Sequence, residues 1–147
     1  LISFGETSEQ QLFYIDKKGE VITDIDNEQY RDFPVITGLV SEEELKEKKE
    51  LADEIFEFLR KVKTNNPRLP AQSISEINIT RGDELVVYLV DYPFPIYFGR
   101  GEVSRQYKRL LKILGVLKQR RGNDALIAEI GSIKMDYYKD KVLVLKN

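Results

Sequence analysis

Apolar and polar positions change period several times along the chain, and each change marks an element. Leu12-Phe13-Tyr14-Ile15 and Glu20-Val21-Ile22 flank Asp16-Lys17-Lys18-Gly19. That pattern predicts a hairpin whose glycine takes the positive φ that a four-residue turn needs. Residues 1–6 predict a short strand. Residues 23–40 have no clear period. Asp32 to Leu39 sets Pro34 and Gly38 among apolar residues, which predicts an ordered loop or a short edge strand. From Ser41 the period becomes helical. Ser41 and Glu44 form a capping box, Leu51, Ile55, Phe58, Leu59 and Val62 recur at helical spacing, and Asn65-Asn66-Pro67 stops one long helix.

The period then returns to two. Ile77 and Ile79 alternate in residues 75–80, and Arg81-Gly82-Asp83 turns the chain. Residues 85–90 are a continuous β-branched and aromatic run, the mark of a strand buried on both faces. Two prolines in residues 91–95 turn the chain again, and Ile96-Tyr97-Phe98 is the returning strand. Gly99-Arg100-Gly101 opens a second helix with Val103, Tyr107, Leu110, Leu111, Leu114 and Leu117 on one stripe, and Gly115 weakens or bends its last turn. Ile133, Met135 and Tyr137 alternate, as do Val142 and Val144, around Lys139-Asp140. These segments predict a closing hairpin.

Short turns between consecutive strands predict a largely antiparallel sheet. Two amphipathic helices need a surface to cover, and one face of that sheet supplies it. The expected fold is α+β, with both helices packed on one face, in a single domain over residues 1–147.

Composition narrows the chemistry. The 147 residues include 23 basic and 25 acidic ones, for a formal net charge of −2, so binding nucleic acid through bulk charge is not expected. The chain has no Cys and no His. Thiol nucleophiles, disulfides and zinc–thiolate sites are thereby removed, along with the commonest general base. Leu1 in place of an initiator Met suggests a fragment of something longer.

The remaining motifs read blandly. Glu42, Glu43, Glu44 and Glu47 stand at a helix start, where acids favour the macrodipole. Asp24 and Asp26 lack the rest of a calcium loop. Gly99-Arg100-Gly101 is too short for a phosphate-binding fingerprint. Ser104 or Ser132 with a nearby Lys would be the starting point for a hydrolase, although one serine begins a helix and the other sits in a turn. No metal or cofactor is expected. Lys141-Val142-Leu143-Val144-Leu145-Lys146 is different, because it is apolar on both faces. It reads equally well as an edge strand open to another chain or as a buried central strand.

Three segments resemble the FtsQ/DivIB family of bacterial cell-division proteins. They are Tyr14-Ile15-Asp16-Lys17-Lys18-Gly19-Glu20-Val21 with Phe33-Pro34-Val35-Ile36-Thr37-Gly38, then Ile96-Tyr97-Phe98-Gly99-Arg100-Gly101-Glu102, then Ile133-Lys134-Met135-Asp136-Tyr137-Tyr138. The resemblance implies the extracytoplasmic β-domain, with residues 1–6 as the last strand of a preceding POTRA domain. It also implies a single-pass inner-membrane anchor outside this chain, a place at the division septum and no catalytic activity. It implies FtsB-like and FtsL-like partners, the former adding a strand to the C-terminal edge. Carried over by position, the binding residues would be Tyr137, Tyr138, Asp140, Val142, Leu143, Val144, Leu145 and Lys146, with Arg81 facing an acidic partner group. Tyr137 stands where the closing motif usually has Arg, and Lys146 where some members have an aromatic residue. A POTRA-like or secretion-system adaptor is the rival binding module, and it would share edge-strand binding with different partners.

Overall fold

The computed structural model describes residues 2–4, 12–15, 20–24, 34–65, 74–90, 92, 94–100, 102–121, 129–138 and 141–146. Outside these lie the first hairpin turn, Asp26, the Asn66-Pro67 helix stop, Gly101 and the Lys139-Asp140 turn. In chain order the elements are β1 (Ile2–Phe4), β2 (Leu12–Ile15), β3 (Val21–Asp24), β4 (Val35–Leu39), α1 (Glu42–Glu47), α2 (Lys49–Asn65), β5 (Ile74–Ile79), β6 (Leu85–Leu89), β7 (Ile96–Gly99), α3 (Val103–Arg121), β8 (Ile130–Tyr138) and β9 (Lys141–Lys146).

All the strands join one sheet in the order β3-β2-β1-β4-β5-β6-β7-β8-β9. The α+β class holds, and five of the eight joints are antiparallel. The joints β1–β4, β4–β5 and β7–β8 are parallel. Parallel neighbours need a crossover, and the helical segments supply two of them: α1 and α2 between β4 and β5, and α3 between β7 and β8.

Two expectations change. Val35–Leu39 is neither a loop nor an edge, because β4 runs between β1 and β5. Pro34 is tolerated because it precedes the strand, where the ladder loses no donor. The long first helix is split at Lys48, whose backbone turns to φ −97 and ψ 34. No Pro or Gly marks that break. The Lys48 ammonium instead reaches Glu44 at 3.3 Å and Asp83, in the β5–β6 turn, at 2.8 Å. The Ser41 cap forms as expected, but the carboxylate half of the box shifts by one residue, from the N–H of Ser41 to that of Val40. Glu44 N–H donates to Ser41 Oγ at 3.2 Å, and the Glu44 carboxylate accepts from Val40 N–H at 2.7 Å.

The helices and one face of the sheet close over a common core. Ile55 and Phe58 from α2, Val103 and Leu110 from α3, and Ile77, Val87, Ile96, Phe98, Ile133 and Met135 from the strands are all buried. Burying each such large side chain contributes about 1.5–3 kcal/mol. Phe58 meets the Tyr107 ring edge-on, with centroids 5.0 Å apart, and so joins the two helices. The Glu54 carboxylate on α2 accepts from Val103 N–H at 3.0 Å and caps the first turn of α3.

Among the described residues the other face carries no helix. Register places Thr37, Asn78, Val86, Tyr97, Lys134 and Leu143 in one row across it. At the β4–β5 end the Thr37 hydroxyl donates to Glu76 Oε1 and accepts from Asn78 Nδ2. Further along, the Lys134 ammonium lies 5.9 Å from the Tyr97 ring centroid. The expectation that residues 85–90 are covered on both faces holds for β6 at Val86 and Val87, but the strand ends at Leu89, and Val90 beyond it is exposed.

Candidate partner-binding edge

β9 is built by its hairpin with β8. Ile130 pairs with Lys146, Ser132 with Leu145, Ile133 with Val144, Lys134 with Leu143 and Tyr138 with Lys141. Ile133 is fully buried, so its partner Val144, with Val142, turns onto the core. Leu143 and Leu145 therefore take the helix-free face, where Leu145 is 38% exposed. On its far side β9 pairs with no strand among the described residues. The even choice between a central and an edge position resolves to an edge. Its outer row of N–H and C=O groups faces away from the sheet.

The hairpin is irregular at two places, by one residue between Ile130 and Ser132 and more strongly further along. Between the pairs Lys134–Leu143 and Tyr138–Lys141, three residues of β8 (Met135, Asp136 and Tyr137) stand against Val142 of β9. This bulge keeps Tyr137 and Tyr138 in the strand, beside the start of β9. Gly99 ends β7 just across from it with φ +79. A side chain there would run into the carboxylate of Asp136, 2.6 Å from the position of a Cβ.

The structure thus brings Tyr137, Tyr138, Val142, Leu143, Val144, Leu145 and Lys146 together on one hairpin. Asp140 lies outside the described residues. Arg81 does not join them. It is exposed in the β5–β6 turn, at the same end of the sheet but three strand spacings away from β9, roughly 14 Å. Two features escaped the sequence reading. The Tyr97–Lys134–Leu143 row needed the parallel β7–β8 register, which spacing does not reveal. The hydrogen bonds from α3 to the strands, of Gln106 to Phe98 O and of Arg109 to Met135 O, were hinted at by two polar residues three apart, beside the apolar stripe of α3.

Catalytic alternatives gain nothing from the geometry. Ser104 lies in the first turn of α3, and Ser132 lies not in the expected turn but in β8, opposite Leu145. Among the described residues neither is hydrogen-bonded to a lysine, and no cluster of three carboxylates could hold a metal ion. No described helix is long and apolar enough to cross a membrane.

Fold and edge together define a one-sided α+β sheet domain with an apolar hairpin closing one end. Residues 6–135 match the family described as cell division protein FtsQ/DivIB, C-terminal. The chain belongs to that family. It is 27% identical over 138 residues to the cell division protein FtsQ of Geotalea daltonii, a match covering 92% of this chain and 47% of the relative. It is 25% identical over 137 residues to the cell division protein FtsQ of Geobacter sp. strain M21, again covering 92% and 47%. The chain therefore spans about half the length of these curated relatives.

Proposed function

We propose that this domain is a non-enzymatic scaffold of the bacterial division machinery, and that β9 takes up a strand from an FtsB-like partner. An FtsL-like protein would join the same assembly, linking it to septal peptidoglycan synthesis. In the whole protein the domain would stand outside the inner membrane at the septum, carried by a single anchor. The observation behind this reading is β9 itself: six residues at the sheet's end, half-buried through Val142, Leu143 and Val144, with no strand beyond it among the described residues. An added strand would satisfy its outer backbone groups, each bond contributing about 1 kcal/mol net. The partner's side chains would extend both faces, beside Val142 and Val144 on one and Leu143 and Leu145 on the other.

Val144→Pro removes one ladder group and sets a ring against the neighbouring strand. It is expected to weaken an FtsB-like peptide more than about tenfold while leaving most of the fold intact. Fluorescence anisotropy with labelled FtsB-like and FtsL-like segments measures this. Unchanged binding of the FtsB-like segment would remove β9 from the interface. Binding of neither segment by the wild-type domain would favour the secretion-adaptor reading.

A further inference from the structure

Arg109 on α3 has no part in the strand addition proposed above, yet it carries an unusual arrangement of polar groups. Its Nη1 donates to Met135 O of β8 at 3.1 Å and to Gln106 Oε1 at 2.8 Å. Gln106, itself buried, donates through Nε2 to Phe98 O of β7 at 3.3 Å. The second terminal nitrogen of Arg109, Nη2, is buried with no hydrogen-bond partner among the described residues. Leaving a charged donor unsatisfied is unfavourable, and an apolar side chain of similar length would avoid it.

Both carbonyls lie where strand pairing fails. Phe98 falls in the register shift between β6 and β7. Met135 lies past the last β7–β8 pair, Tyr97–Lys134, and inside the β8 bulge. Without that bulge the register set by Lys134–Leu143 would continue to Asp136–Lys141. Residues 137–140 would then become a four-residue loop, a common hairpin connection. Tyr137 and Tyr138 would leave the strand and move into that loop. The observed register instead holds Tyr138 opposite Lys141. The hairpin therefore has two plausible registers, and the Arg109 bond to Met135 O exists in the form that includes the bulge.

We infer that Arg109 is a positioning residue that selects the bulged register of the β8–β9 hairpin, and so sets the shape of the binding edge. Its consequence for binding rests on the strand-addition reading. Its consequence for register does not.

The natural chain has no cysteine, so paired cysteines can report the register directly. Y138C/K141C traps the bulged form, and D136C/K141C traps the continuous one. With wild-type Arg109 the first pair is expected to oxidise faster. R109M is expected to reverse that order, to melt several degrees below wild type because Met135 O and Gln106 Oε1 lose their donor, and to bind the FtsB-like peptide roughly tenfold more weakly. R109K, which keeps a single donor, is expected to fall between. L110A is the control for simple core damage, because it should lower the melting temperature without changing which pair oxidises faster. If R109M leaves the cysteine order unchanged, the inference fails. If R109M does not fold, R109K decides, and a wild-type order and affinity for R109K would overturn the inference. If R109M reverses the order but binds normally, the link from register to binding is wrong. If V144P also binds normally, the strand-addition reading has failed separately.

Discussion

β3 and β9 close the two ends of one sheet, yet they present very different templates. β3 has four residues, ends in Asp24, and is held to β2 by two registered pairs with a shift between them. β9 has six residues, contains no acid, and is held to β8 by five registered pairs. A short edge offers an incoming strand few groups, whereas a longer apolar one offers a longer row. Position at an edge is therefore not enough to make a docking site. Length and two-faced apolarity separate the two ends.

The severest way to break this comparison is at the joint between the halves. Gly38 in β4 has φ +97, and a Cβ there would lie 2.0 Å from Ile79 O in β5. Gly38→Ala is expected to lower stability by more than about 3 kcal/mol, because both strain and clash oppose it. Urea unfolding measures the loss, and a change below about 1 kcal/mol would mean the β4–β5 approach is looser than described.

Next comes the contrast between the edges themselves. Ile22→Pro in β3 is expected to leave binding of the FtsB-like peptide within about twofold of wild type, against a loss of more than about tenfold for Val144→Pro. Equal losses for both variants would erase the distinction drawn between the two ends.

A smaller effect concerns the helix face that both ends share. Burial pushes the Tyr107 phenol up to about 12. Its ordinary value is about 10. The folded pKa is the higher one, so this contribution to stability is complete below about pH 10 and is lost between about 10 and 12 as the unfolded chain ionises first. Melting curves across that window should fall less steeply for Tyr107→Phe than for wild type. Parallel curves would show that Tyr107 titrates as an exposed phenol.

The smallest effect is expected at Lys48→Met. The Asp83 carboxylate, opposed in part by desolvation, raises the pKa of Lys48. Its ion pairs reach Glu44 and Asp83, but they are open to solvent, so the loss should stay below about 1 kcal/mol and shrink with added salt. A larger, salt-independent loss would make this contact more than a surface pairing.

Much of the fold was legible because it is local. The capping box at Ser41, the stripe from Val103 to Leu114 and the alternation of Ile133 with Met135 each report their own element. The three parallel joints were not legible, since they depend on where a crossover returns and not on the residues that form it. For the same reason β4 was read as a loop or an edge, and the break at Lys48 escaped because no Pro or Gly marks it, while the Asp83 that pairs with Lys48 lies thirty-five positions away in the chain. At the site, the sequence marked β9 and its two apolar faces. It did not reveal the three-against-one bulge, because the bulge belongs to the pairing of two strands and to a contact from α3.

Among the described elements β9 comes last in the chain. On the ribosome every other strand, and all three helices, are made before it, and domains tend to fold as synthesis proceeds. A nascent chain stopped at Tyr138 would have a core but no finished edge. If β9 takes up a partner strand as proposed, recruitment would follow translation of the whole hairpin, and a half-made subunit would not take a partner out of circulation.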